Sequence, residues 1–246
     1  MASRLSKQSD IMIYHQGFRS FRTTNKPTGI LLPAIELDRV LIEDQAVKVI
    51  QDLHPQNLYF SLKNKGLEDS LDVLPLVSSE QFVKIMDYDV WQKNELCPKQ
   101  AFYWLSLYGK ISGKQALERL RQLDEEYQIA VFASHVRVYD KVEYDQFIDQ
   151  EQDQLYALPG NEIYYRILSN DDQVLHSHIK EVIDSLVAHD MNYTILLLAQ
   201  SSNNPPREAE HLLTQFRRAR LEEDGFVLEE ESRTYFIPAT KKEIST

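Results

Sequence analysis

The chain has a single cysteine, Cys97, and seven glycines in 246 residues. One thiol forms no intrachain disulfide, which excludes a small disulfide scaffold and fits a reducing compartment. Scarce glycine argues against folds built on many tight turns or on backbone loops that approach phosphates, and no GxSxG, Walker, GxGxxG or HExxH pattern occurs. Long apolar runs are also missing. The longest, "GILLPAIELDRVLI", is interrupted by Pro33, Glu36, Asp38 and Arg39, and the opening "MASRLSKQSDIMIYHQGF" has no apolar stretch of signal-peptide length. A cytoplasmic location without a membrane span is therefore expected. Positive charge is short as well: 27 Lys and Arg face 38 Asp and Glu, a net charge of −11. Such a surface repels polyanions, so nucleic acid is not the expected general partner.

What is present is a helical rhythm. Residues 1–26 carry Arg4, Lys7, Arg19, Arg22 and Lys26 against Asp10, a +4 segment that leaves −15 for the remainder. We read residues 1–30 as a basic, flexible arm. After the turn at Pro27–Gly29, "ELDRVLIEDQAVKVIQDL" spaces Leu37, Val40, Leu41, Val47, Ile50 and Leu53 as one helix face. Pro55 suits the first position of a second helix that Gly66 stops. Pro98 opens a further helix, "PKQAFYWLSLYG", expected to end at Gly109.

A pattern then appears twice. "GLEDSLDVLPLVSSEQFVKIMDYDVW" has a stripe of Leu71, Leu74 and Val77, a Ser cap in "SSEQ", and a second stripe of Phe82, Ile85, Met86 and Val90. Shifted by 46 residues, "GKQALERLRQLDEEYQIAVFASHVRVY" repeats it with Leu117, Leu120 and Leu123, a cap at Asp124, and Ile129, Phe132 and Val136. Neither hairpin buries its stripe alone, so stacking is the expected solution. The expected fold is mainly α: stacked helical hairpins forming an α-superhelical array, with a small β element near the C-terminus. The array spans 31–139, an acidic linker 140–155, and a C-terminal helical region with short strands 156–240, before a tail at 241–246. Within the last region a strand is expected near Glu162–Leu168 and a hairpin in "FVLEEESRTYFIP".

The segments "NLYFSLKNKGLEDSLDVLPLVSSEQFVKIMDYDVWQKNELCPKQAFYWLSLYG" and "RRARLEEDGFVLEEESRTYFIP" resemble a bacterial family of helical-hairpin proteins that bears a domain-of-unknown-function label. The hairpin rhythm is also similar to the cytosolic superhelical domain of MgtE-type magnesium transporters. The resemblance implies the fold and brings no catalytic motif with it.

Several constellations suggest chemistry. His176 and His178, with His189, Asp171 and Asp172 nearby, look metal-like, but residues two apart on a helix diverge by about 200° and cannot share an ion. Asp87 and Asp89 lack the third carboxylate and Gly-rich turn of a cation loop and are read as helix-start acids. Cys97 precedes Pro98 at a helix start with no His, Asp or Asn pattern to activate it, and is read as a packing or capping thiol. No catalytic residue, cofactor or metal is expected. Arg207, Arg217, Arg218 and Arg220 on a helix followed by a hairpin resemble the end of a winged-helix domain, but Glu222, Glu223, Asp224 and Glu229–Glu231 oppose phosphate. The first reading is a non-enzymatic protein-interaction or scaffold module with a protein partner. Its candidate patch is Phe102, Tyr103 and Trp104 beside Lys99 and Lys110, because three consecutive aromatics on a helix spread over about 200° and cannot all face inward. The alternative is nucleic-acid binding through the four arginines.

Overall fold

The computed structural model describes residues 14–15, 18–20, 37–92, 94–147, 155–169, 171–203 and 206–228, with 14–15, 18–20, 206–209 and 226–228 described by backbone alone. Strands β1 (Tyr14–His15) and β2 (Phe18–Ser20) lie within the expected basic arm. The first helix is two: α1 (Leu37–Leu41) and α2 (Ala46–Asp52), separated by turn bonds from Glu43 N–H to the Val40 carbonyl and from Ala46 N–H to the Glu43 carbonyl. Leu37, Val40 and Ile50 are buried as the spacing requires, whereas the break leaves Val47 exposed. Pro55 opens α3 (Pro55–Lys65), which ends at Gly66. There φ is +99°, a backbone that L side chains rarely adopt.

The stripe of Leu71, Leu74 and Val77 sits on two 3-10 turns, Glu68–Ser70 and Leu74–Leu76, and not on an α-helix. Pro75 interrupts any α-helix there, since it has no N–H to donate to the carbonyl of Leu71 four residues before it. The next helix, α4 (Ser79–Asp89), starts as "SSEQ" predicts: Gln81 N–H donates to Ser78 Oγ at 3.1 Å, and Ser78 N–H donates to Gln81 Oε1 at 3.0 Å. A tight hairpin of β3 (Trp91–Gln92) and β4 (Glu95–Leu96) leads into α5 (Pro98–Ile111). That helix continues through Gly109 and stops at Ser112.

In the echo, α6 (Gly113–Arg121) and α7 (Glu125–Ala133) form the helix pair. Val136, expected on a helix, begins β5 (Val136–Asp140), and α8 (Lys141–Phe147) covers the start of the acidic stretch. Strands β6 (Leu155–Ala157) and β7 (Ile163–Ile167) complete an antiparallel sheet in the order β5-β7-β6, with Val138 opposite Tyr165. The strand expected near 162–168 is therefore present, paired across the 139/140 boundary. Helices α9 (Gln173–His189), α10 (Met191–Asn203) and α11 (Pro206–Glu223) follow, and β8 (Phe226–Leu228) pairs with β2. The fold is thus mainly helical with small antiparallel sheets. The largest β element among the described residues lies mid-chain, a correction to its expected place near the C-terminus. The rest of "FVLEEESRTYFIP" lies outside the described residues.

Helix α5 is the centre of the core. Ala101, Phe102, Trp104, Leu105, Leu107 and Tyr108 are fully buried, and α6, α7 and α9 pack around them. Gln81 ties the early helices to this core in a way that its capping role does not reveal. Its Nε2 donates to the Ile50 and Leu53 carbonyls, both at 2.8 Å, so one side chain caps the start of α4 and the end of α2. Replacing Gln81 with Leu keeps the volume, strands the Leu53 carbonyl, leaves the Ile50 carbonyl with the Leu53 N–H alone and removes half of the Ser78 capping box. A loss of about 2–4 kcal/mol is expected in denaturant unfolding, compared with less than about 1 kcal/mol for Gln51→Leu on the exposed side.

Candidate functional site

The end of α4 carries the sequence Asp87-Tyr88-Asp89, and each side chain reaches a different element. Two acids in the last turn face the negative end of the helix dipole, an arrangement that needs cations from elsewhere. The reading of these residues as helix-start acids is corrected accordingly.

Asp87 is 1% exposed. Arg220 Nε donates to its Oδ2 at 2.6 Å and an Arg220 terminal nitrogen to its Oδ1 at 2.9 Å, a two-pronged fork. The other terminal nitrogen of Arg220 reaches Asp124 Oδ2 at 2.9 Å, and Asp124 stands at the N-terminus of α7. Arg217, also 1% exposed, donates Nε–H to the Asp87 carbonyl at 2.9 Å and lies 5.0 Å from the centre of the Trp91 ring. Burial pulls Arg217 down to about 10, so it stays charged at neutral pH. The two members of the main pair respond differently. Burial pushes the Asp87 carboxyl upward against the pull of Arg220 and Arg217. Burial also disfavours the Arg220 cation, yet the bonds and charge of Asp87 and Asp124 raise it overall. The fork decides for the ionised pair at neutral pH, because a guanidinium has no other state there.

Tyr88 donates to Asp224 Oδ2 at 3.0 Å, and Lys84 pairs with the same carboxylate. Asp89 accepts from Tyr59 Oη at 2.7 Å, Gln100 Nε2 at 2.7 Å, Trp104 Nε1 at 2.8 Å and Lys63 Nζ at 3.2 Å. Burial alone would raise the Asp89 carboxyl; the Tyr59 bond, the Lys63 charge and the Trp104 and Gln100 bonds outweigh it and hold it below its ordinary range.

The other expected sites are dispersed. Phe102 and Trp104 are buried, because α5 is covered on several sides, with Phe132 at 5.0 Å edge-on to Phe102. Tyr103 is half-buried against His178, 5.6 Å between ring centres. Lys99 pairs with Asp172 and Lys110 with Glu68. The patch expected around these five residues therefore contracts to Tyr103 and its flanking ion pairs. On α11, Arg218 pairs with Glu222 at 2.6 Å, and the Arg207 side chain lies outside the described residues. His176 bonds Tyr156 Oη at 2.7 Å through Nε2 and Ser169 Oγ at 3.1 Å through Nδ1. His189 bonds the Ser185 carbonyl, so the three histidines share no partner. Cys97 is the N-cap residue of α5, half-buried, with Gln92 Nε2 at 3.6 Å from its sulfur.

Asp87→Asn removes the counter-charge beside buried Arg217 and leaves Arg220 with Asp124 alone, and a loss of about 3–5 kcal/mol is expected in denaturant unfolding. Lys63→Ala removes a half-exposed partner and is expected to cost less than about 1 kcal/mol. The depressed Asp89 carboxyl stabilises the fold fully above its unfolded value, and that contribution is lost as pH falls through the folded value. The unfolding midpoint should drop steeply below about pH 4, and Asp89→Asn should flatten part of that slope from a lower starting point.

No curated protein and no solved structure matches the chain. One family model does, over residues 31–246. It begins just beyond the basic arm and takes in every helix from α1 to α11, including both partners of the Asp87–Arg220 fork. The chain belongs to this family, DUF6178, a family of unknown function.

Proposed function

We propose that the chain is a non-enzymatic protein-interaction module of the cytoplasm, its helix pairs stacked as an array and its partner seated on the outer face of α11. The observation that carries this reading is the contrast between the two faces of that helix. Inward, Leu213, Arg217 and Leu221 are buried and Arg220 is forked to Asp87. Outward, Leu212 and Phe216 stand one turn apart at 44% and 43% exposure. A helix fixed from within that offers two large apolar side chains on one stripe has the composition of an interface centre. The stacked reading draws on the consecutive pairs α3–α4, α6–α7 and α9–α10, each in contact within the pair. The likeness to the MgtE-type superhelical domain rests on the same rhythm.

The reactive groups favour the non-enzymatic reading too. The carboxylates of Asp87 and Asp89 are engaged by hydrogen bonds and charges of the fold itself, and Asp87 is buried where a substrate does not reach. The nucleic-acid alternative draws little from α11, since Arg217 and Arg220 turn toward Asp87 and Arg218 pairs with Glu222.

Affinity capture with the full chain from its native host is expected to recover one stoichiometric protein partner. Phe216→Glu should weaken that capture by about thirtyfold or more, the loss of one anchor worth about 2 kcal/mol, while the unfolding midpoint stays within about 2 °C because the side chain is on the surface. Capture unchanged by Phe216→Glu and Leu212→Glu together would remove α11 as the interface.

A further inference from the structure

At the opposite end of α4 from the Asp87 cluster lies an open cleft of about 410 Å3, lined by Gln51, Ser78, Ser79, Gln115, Arg119 and Gln122 among others. Its volume is that of a small-molecule site. Arg119 is 8% exposed and, unlike Arg220, has no carboxylate partner among the described residues. Its terminal nitrogens donate to the Val77 carbonyl at 2.6 Å, the Leu74 carbonyl at 3.3 Å and Gln122 Oε1 at 3.0 Å. The guanidinium lies 5.4 and 4.9 Å from the ring centres of Phe82 and Tyr108, which stand edge-on to each other beside it. Carbonyl dipoles and ring faces orient this cation without neutralising it, and a buried cation lacking a counter-ion is costly.

The start of α4 opens on the same cleft and adds positive character. Gln81 N–H is capped by Ser78, but the Ser79 and Glu80 N–H groups take no acceptor among the described residues. A guanidinium and a helix N-terminus, both positive, thus meet at one cavity. Gln115 Oε1, on the same wall, is a buried acceptor without a donor among the described residues. Glu118 stands at the rim and is paired with Lys114 at 3.5 Å.

We infer that this cleft binds a small oxyanion, a phosphate or carboxylate whose own O–H or N–H donates to Gln115. The anion sits against Arg119 and the first turn of α4, with the Ser79 hydroxyl and N–H as further donors. A small anion suits the site better than a polyanion, because the net charge of −11 repels extended chains of phosphate.

The probe is inorganic phosphate, titrated calorimetrically into the full chain, with chloride at matched ionic strength as reference. Saturable binding is expected for phosphate and not for chloride. Arg119 also holds the Leu74 and Val77 carbonyls, so its removal risks the fold; Ser79→Glu is the decisive variant. A carboxylate at this exposed first position complements the helix dipole, so the unfolding midpoint should hold, while its charge should weaken phosphate at least about tenfold. A parallel titration with a 2-hydroxycarboxylate separates the sources: whichever anion binds about tenfold tighter names the natural class. Phosphate and hydroxycarboxylate heats no different from chloride, or an affinity that Ser79→Glu leaves within about twofold, would overturn the inference.

Discussion

A carboxylate buried at the C-terminal end of a helix is the constraint on which the rest of the fold depends. Asp87 sits in the last turn of α4, where the dipole disfavours negative charge and burial disfavours any charge. It is tolerable only because two arginines of α11 arrive from about 130 residues away along the chain. That requirement fixes where α11 lies and which of its faces turns inward. It also recruits the N-terminus of α7, because Arg220 bridges Asp87 to Asp124. Asp124 consequently makes no side-chain cap on its own helix.

The two residues that follow extend the same logic. Tyr88 and Lys84 reach Asp224 just beyond α11, and Asp89 gathers groups from α3 and α5. One turn of α4 thereby connects the beginning, middle and end of the described chain. The other end of α4 is built differently, with Gln81 capping two helices and an arginine held by carbonyls and aromatic rings. Eleven residues of helix span about 16 Å. A compensated charge cluster and an uncompensated cation therefore stand a short, rigid distance apart, one fixing the fold and the other open to an anion.

Much of the local architecture is legible in the sequence, because caps and breakers act through bonds a few residues long. Ser78 with Gln81, Pro55, Pro98 and Gly66 mark real helix ends, and Ile163–Ile167 is the strand that its β-branched and aromatic residues suggest. Errors arise where a distant partner or a neighbouring residue outweighs periodicity. Pro75 turns the first leucine stripe into 3-10 geometry, and Val136 leaves its helical rhythm to pair with Ile167. Gly109 continues α5 with only the Ser185 side chain near its missing Cβ. The Asp87–Arg220 fork is the least legible feature. Arg217 and Arg220 look like a surface patch until Asp87 is known to face them, and no spacing rule links positions 133 residues apart. The one local signal was chemical: two acids in a last helical turn that call for cations.

The central claim is that α11 is locked to α4 and α7 through Asp87 and belongs to the same cooperative unit as the core. Native-state hydrogen exchange of the full chain tests this directly. The account predicts that the buried-face amides of α11 around Leu213–Leu221 open with the same free energy as those of α4 and α7, and that all three fall together in Asp87→Asn. Exchange of α11 near the rate of a frayed terminus, with α4 and α7 still protected and unaffected by the substitution, would contradict it.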